Sequence, residues 1–179
     1  MYKIRVSDLT IVASNNLPAT LQNVHSIKVN ASRGEFYLTG SIIDPIYMLK
    51  VNTSDLSYTQ IDLSSYITHA TDDMCFYDNG TVCKVFVGGE QFYGTEPYCG
   101  VVIETTNSNA LSAIHIKPSY GLFIDGVKVY SASLDGYIQT FSALDPTNVS
   151  TFVLEGYAPN EVMATSTGRT FLTHWDATN

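Results

Sequence analysis

Four glycines stand at nearly even intervals in this chain, Gly34, Gly80, Gly126 and Gly168. The steps between them are 46, 46 and 42 residues, and the path from Gly168 round the chain ends to Gly34 adds 45. The text on both sides of each glycine is strand-like, so each marks a turn inside a repeated unit. A unit of roughly 45 residues holds four short antiparallel strands and their turns. That spacing predicts four such units in 179 residues.

The repeat is also visible in residue identities. Ala31-Ser-Arg-Gly-Glu-Phe-Tyr-Leu-Thr39 lies over Thr165-Ser-Thr-Gly-Arg-Thr-Phe-Leu-Thr173, with Ser, Gly, Leu and Thr identical at an offset of 134. Met1-Tyr-Lys-Ile-Arg-Val-Ser-Asp-Leu9 lies over Met48-Leu-Lys-Val-Asn-Thr-Ser-Asp-Leu56, with Met, Lys, Ser, Asp and Leu identical at an offset of 47. The two middle units match in pattern alone.

Composition points the same way and removes some function classes. Hydrophobic residues make up 45% and charged residues 15%, and Thr, Ser, Val, Ile and Tyr are abundant, as in a β protein with a polar, uncharged surface. No stretch keeps apolar residues at helical spacing for three turns. The net charge of −8, with 9 scattered Lys and Arg, argues against nucleic-acid binding, which needs clustered cations to neutralise phosphates. No apolar run approaches the roughly 20 residues of a spanning helix, so no membrane insertion is expected. Met1-Tyr-Lys-Ile-Arg5 lacks the apolar core of a secretion signal. The compartment is not assigned by these residues.

Strands can be laid along the units. Unit one reads His25 to Asn30, Glu35 to Ser41, Ile46 to Asn52 and Ser57 to Leu63. Unit two reads Met74 to Tyr77, Val82 to Val87, Gly100 to Thr105 and Ser112 to Ile116, with a long insertion from Gly88 to Cys99. Unit three reads Gly121 to Ile124, Val127 to Ser133, Tyr137 to Ala143 and Ser150 to Leu154. Unit four has two strands, Glu161 to Ala164 and Thr170 to Trp175, while Tyr2 to Val6 and Thr10 to Ala13 match third and fourth strands.

On repeat length and strand order the chain resembles the β-propeller proteins. The resemblance implies an all-β, four-bladed β-propeller of about 45 residues per blade, whose last blade is closed by N- and C-terminal strands. One domain, 1–179, would then hold blades at about 23–63, 64–116, 117–156, and 157–179 plus 1–13. Such closure leaves no sheet edge exposed. The same arithmetic admits a larger ring made from two chains, and a β-sandwich or jelly roll is the rival fold. No propeller subfamily follows, since Trp175-Asp176 is the sole Trp-Asp pair.

Function in this fold resides in loops. The resemblance places on one face Gly40 to Pro45, Gly88 to Gly100, the Asp135-Gly136 turn and the meeting of the termini at His174, Trp175 and Asp176. Gln91, Phe92, Tyr93, Glu96 and Tyr98 bring three aromatic rings and two polar groups into the one long loop. That mixture suits contact with protein or sugar, and it equally suits covering the blade's own edge. These residues with His174, Trp175 and Asp176 form the expected binding set.

Catalytic and metal signals are sparse. Cys75, Cys83 and Cys99 lack zinc-site spacing. Cys75 and Cys83 flank the Asp78-Asn79-Gly80 turn, where a bridge is open to them in an oxidising compartment. His25, His69, His115 and His174 fall in four different units, and no motif joins one to a thiol. Asp72-Asp73, with His69 nearby, offers either a general acid and base or a cation site; the simpler expectation is a solvated turn between units. No cofactor, metal site or catalytic residue is expected. The reading that follows is a non-catalytic binding or structural module, part of a larger assembly such as a virion, with a protein partner or self-association. A carbohydrate-binding lectin and a hydrolase are the alternatives.

Overall fold

The computed structural model describes residues 1–179 apart from 20, 22, 41–44, 68–69, 91–98, 134, 155–158, 165–169 and 175–179, and only the backbone of 90, 159–164 and 170–174. The chain is all-β in sixteen strands, with one short 3₁₀ turn, Ala31–Arg33, among the described residues. β1 (Tyr2–Ile4) and β2 (Ile11–Ser14) form a two-stranded sheet. β3 (Ser26–Asn30), β4 (Glu35–Thr39), β5 (Tyr47–Asn52) and β6 (Tyr58–Asp62) form the first four-stranded meander. β7 (Ala70–Asp78), β8 (Cys83–Glu90), β9 (Gly100–Glu104) and β10 (Ala110–Ile114) form the second. β11 (Gly121–Asp125), β12 (Lys128–Ser133), β13 (Tyr137–Ser142) and β14 (Ser150–Val153) form the third, and β15 (Pro159–Ala164) with β16 (Thr170–His174) a final pair. Every pairing is antiparallel. No helix among the described residues is long and apolar enough to cross a membrane.

Three of the four turn glycines do what their spacing implies, and Gly168 lies outside the described residues. Gly34, Gly80 and Gly126 join first to second strands in the three complete sheets, with φ of 63°, 87° and 58°. Glycine adopts that left-handed region without the clash a Cβ brings. A second turn repeats as well. Leu9 and Leu56, matched at an offset of 47, have φ of 56° and 62°, each just after an aspartate that bonds forward. Asp8 Oδ1 accepts from the Thr10 hydroxyl at 2.8 Å, and Asp55 Oδ1 from the Ser57 hydroxyl at 2.7 Å. Asp145 does the same for Thr147 between β13 and β14. The β1–β2 pair is therefore built like the third and fourth strands of a sheet.

Successive sheets stack face to face. Tyr37, Met48 and Ile61 of the first sheet pack on Met74, Val85 and Val101 of the second. The other face of the second sheet carries Phe86 and Val102 against Leu122, Val129 and Phe141 of the third. Strands such as Val85-Phe86-Val87 and Val101-Val102-Ile103 are thus apolar on both faces, and their runs do not alternate. The first strand of each sheet touches the first and second strands of the sheet before it: β7 lies on β3 and β4, β11 on β7 and β8, and β15 on β11 and β12. That rule is propeller-like. Each new first strand is inner, and the fourth strands are peripheral.

Three expectations change. β7 begins at Ala70 rather than Met74, because the register shifts between Thr71 and Met74 and accommodates Asp72 and Asp73 inside the strand. These carboxylates are consequently not in a solvated turn. β8 runs through Gly88 and Gly89 to Glu90, where close packing excludes side chains: a Cβ on Gly89 would stand 2.5 Å from Ile67 Cγ2 and 2.8 Å from the Ala70 carbonyl. The two-stranded sheets β1–β2 and β15–β16 are separate rather than joined in one four-stranded sheet. β1–β2 instead packs through Met1 and Ala13 on Leu38, Leu49 and Val51 of the first sheet.

All three thiols are free and buried. Register puts Cys83 opposite Asp78, an odd number of residues from Cys75, so the two point to opposite faces. Cys83 joins the core with the first sheet and Cys75 the core with the third. Burial pushes the Cys75 thiol well above its usual range and Cys99 up to about 11. A thiol reagent at mildly alkaline pH should label the native protein slowly and label all three cysteines after denaturation, with or without prior reductant. Rapid native labelling, or a thiol count that rises on reduction, would contradict this core.

Candidate functional site

The meander order sends the first strand of every sheet away from one face, shared by the loops between second and third strands and those that enter the next sheet. At that face the starts of β3, β7 and β11 bring together His25, Ser26, Lys28, Asp72 and Asp73. Asp73 Oδ1 accepts from Ser26 Oγ at 2.7 Å and Lys28 Nζ at 3.0 Å, and Oδ2 accepts from the Leu122 backbone N–H at 3.0 Å. One carboxylate therefore ties three successive sheets. His25 Nδ1 lies 2.9 Å from the Thr71 carbonyl, which can only accept, so this nitrogen carries the proton. The same nitrogen is 3.5 Å from Asp72 Oδ1.

A second link sits at the opposite end of the inner strands. Arg33 in the first sheet's turn donates from Nε and Nη2 to Asp78 at 2.8 and 2.9 Å, and from Nη2 to the Gly80 carbonyl. Asn30 Nδ2, Ser32 Oγ and the Gly80 N–H also donate to Asp78, whose side chain is 7% exposed. The Arg33 guanidinium first, then these donors, hold the Asp78 carboxyl far below the usual carboxylate range despite burial. Nearby, Tyr37 is fully buried, with its hydroxyl 3.2 Å from Glu35 Oε2 and 3.4 Å from Cys83 Sγ. Burial raises the Tyr37 pKa strongly. Both links position sheets, and their carboxylates are occupied by donors from the neighbouring sheet.

Two grooves accompany these links. One of about 270 Å³ is polar, with Glu35, Lys50, Asn52, Ser57, Tyr58 and Thr59 along it and a Lys50–Glu35 ion pair of 3.1 Å. The other, about 400 Å³, is apolar and lies between the N-terminal hairpin and the first sheet, where Tyr2, Leu17, Val24, Ile27, Phe36 and Leu38 face it. Among the described residues no group of three or more His, Cys, Asp and Glu is placed to hold a metal ion.

Of the expected binding set, Gln91, Phe92, Tyr93, Glu96 and Tyr98 lie outside the described residues, as do Trp175, Asp176 and His69. Their loop springs from Glu90 and returns at Gly100, between second and third strands, and the Gly89 N–H donates to the Cys99 carbonyl at 2.8 Å. His174 ends β16, in register with Pro159. The cluster around Asp73 and the Arg33–Asp78 link escaped sequence reasoning, since their partners come from different sheets. Only the adjacent Asp72 and Asp73 gave a signal; His69 lies outside the described residues, and His25 of the preceding sheet stands near Asp72.

No protein-family model and no curated protein matches the chain. Among solved structures, a Bacteroides fragilis protein described as exported is similar over 80% of this chain, at 14% identity and a TM-score of 0.48. The chain spans 42% of that protein. A likeness at that score carries no argument about fold or activity.

Two outcomes test the links between sheets. Asp73→Asn removes the charge that holds Lys28 and turns an amide toward existing donors, and should cost about 1.5–3 kcal/mol in urea unfolding; an unchanged midpoint would contradict the tie. For Asp78 the folded pKa is depressed, so its contribution is complete above the unfolded carboxylate value of about 3.9 and is lost as pH falls through the folded value. The stability gap between the protein and Asp78→Asn should therefore stay level near neutrality and shrink below about pH 4. A gap that holds constant or widens in acid would contradict it.

Proposed function

We propose that this chain is a non-catalytic binding or scaffold module of the β-propeller type, working within a larger assembly through protein contacts. One observation carries the reading: apolar side chains stand open along the N-terminal hairpin and β3. Tyr2, Ile4, Ile11, Ile27 and Val29 are each more than half exposed, next to the apolar groove. Exposed apolar side chains beside such a groove mark association surfaces. The finer architecture in this proposal is a ring whose last blade combines β15 and β16 with β1 and β2. Equivalent turns at Leu9 and Leu56, and the seat of β15 on β11 and β12, support that strand assignment.

The loop between β8 and β9 is the second contact surface in this proposal, with Phe92, Tyr93 and Tyr98 as anchors and Gln91 and Glu96 as polar partners, alongside His174, Trp175 and Asp176. The polar groove beside Tyr58 favours a second reading, carbohydrate binding, in which the ring stacks on a sugar and Glu35, Asn52 and Lys50 take its hydroxyls. An acid–base hydrolase has less support, because Asp73 and Asp78 are taken up in links between sheets.

The test pairs activity with binding. Purified protein should show no turnover above buffer on a panel of chromogenic glycosides, esters and phosphates, and calorimetry with simple sugars should show no saturable heat. Turnover that survives repurification would overturn the reading, and saturable sugar binding lost in Tyr58→Ala would replace it with the lectin.

A further inference from the structure

The two-stranded sheets at the chain ends are complementary halves of one unit. β1–β2 repeats the third and fourth strands of the first sheet: Ile4 pairs with Ile11 as Val51 pairs with Tyr58, each at the offset of 47. β15–β16 repeats first and second strands, with Thr170–His174 over the β4 text at the offset of 134. β15 also lies on β11 and β12 as β11 lies on β7 and β8. Among the described residues β1 pairs only with β2, and β16 only with β15.

The vacant half-site is the apolar groove. β1–β2 packs on the first sheet through Leu38, Leu49, Val51 and Leu56. Beyond the hairpin's Tyr2 and Lys3, the groove is lined by Ile27 of β3 and Phe36 of β4, and Ile27 and Val29 remain 58% and 60% exposed. By the packing order of the fold, a first and a second strand belong there. The chain's own β15 is seated on the third sheet, and the described residues that line the groove all fall within the first 56 of the chain.

We propose that this groove receives β15 and β16 of a second copy, so that β16 of one chain pairs with β1 of the other and a four-stranded blade forms across the interface. The proposal deepens the assembly reading above, on which it rests, by naming the partner. Antiparallel order is preserved, since a second strand beside a third alternates direction. Both open edges are satisfied at once, and an exposed edge is what recruits another strand. The surfaces match in character: among the described residues Lys3 bears the sole charged side chain along the groove, and Glu161 is the one formally charged residue in the sequences of β15 and β16. Copy number follows from geometry. Among the described residues each copy of this chain has three complete sheets, so two such copies with two shared blades make a ring of eight, inside the range of about 4–8 blades that propellers occupy. A third copy would exceed it, and a ring of two is a closed twofold dimer.

Sedimentation equilibrium of the full chain across the micromolar range tests this directly, together with hydrogen exchange at Tyr2–Ile4. The expected result is twice the chain mass, a dimer that dissociates on dilution, and β1 amide protection that rises with the dimer fraction. Ile27→Asp and Val29→Asp, at exposed positions, should give folded monomers by circular dichroism, with β1 unprotected. Val127→Asp, exposed on a turn away from the groove, should leave the dimer intact. A monomer at every concentration overturns the proposal: with β1 protected it means closure within one chain, and with β1 open it means the groove awaits another occupant. Open-ended growth beyond a dimer overturns the closed ring. Absence of turnover on substrates is a separate result, so a monomer that lacks activity would sink the dimer and leave the non-catalytic reading standing.

Discussion

Everything in this architecture depends on the need to cover two faces of each sheet. The second sheet carries apolar side chains on both sides, with Val85, Val87, Val101 and Ile103 on one and Phe86 and Val102 on the other, all buried. Neither face tolerates water, because burying apolar area contributes about 25 cal/mol per Å². A sheet of that kind is stable only between two others, which themselves acquire a second face to cover. The requirement propagates along the chain and stops only if the stack closes on itself. Among the described residues, the exposed side chains of β3 and the apolar groove mark a face of the first sheet that still needs cover.

Apolar packing sets how close the sheets lie but does not choose their register, and the polar links supply that. Asp73 receives donors from the sheets on either side at the loop face, and Asp78 receives Arg33, Asn30 and Ser32 at the other end. A half-buried carboxylate without those donors would be costly. Sliding one sheet past the next therefore loses bonds at both ends of the inner strands. The glycines finish the fit: Gly88 and Gly89 leave room for Ser119 and Ile67 where the second sheet meets its connecting loops.

Much of the strand order was legible, because it rests on local physics. Turn glycines with positive φ, the Asp8 and Asp55 turns and short β-rich runs all declare themselves within a few residues. The start of β7 was hidden by Asp72 and Asp73, which read as solvent-loving until the neighbouring sheets provide donors. The end of β8 was hidden by Gly88 and Gly89, which resemble a loop until packing against Ile67 and Ser119 explains them. The fate of the thiols was also out of reach from composition, since it depends on one pairing, Asp78 with Cys83. The residues that link one sheet to the next were the least legible. His25, Lys28 and Arg33 act across sheets, and no local spacing encodes a partner 45 or more residues away.

The central claim is that the end strands of the chain are halves of one blade, completed between copies. It is tested most directly by nuclear magnetic resonance on a mixture of chains, one nitrogen-labelled and deuterated, the other carbon-labelled. The account predicts interchain cross-strand contacts between amides of Tyr2–Ile4 and α-protons of Thr170–His174. The same contacts found only within a single labelled chain, or no contact between these strands at protein concentrations that favour association, would contradict it.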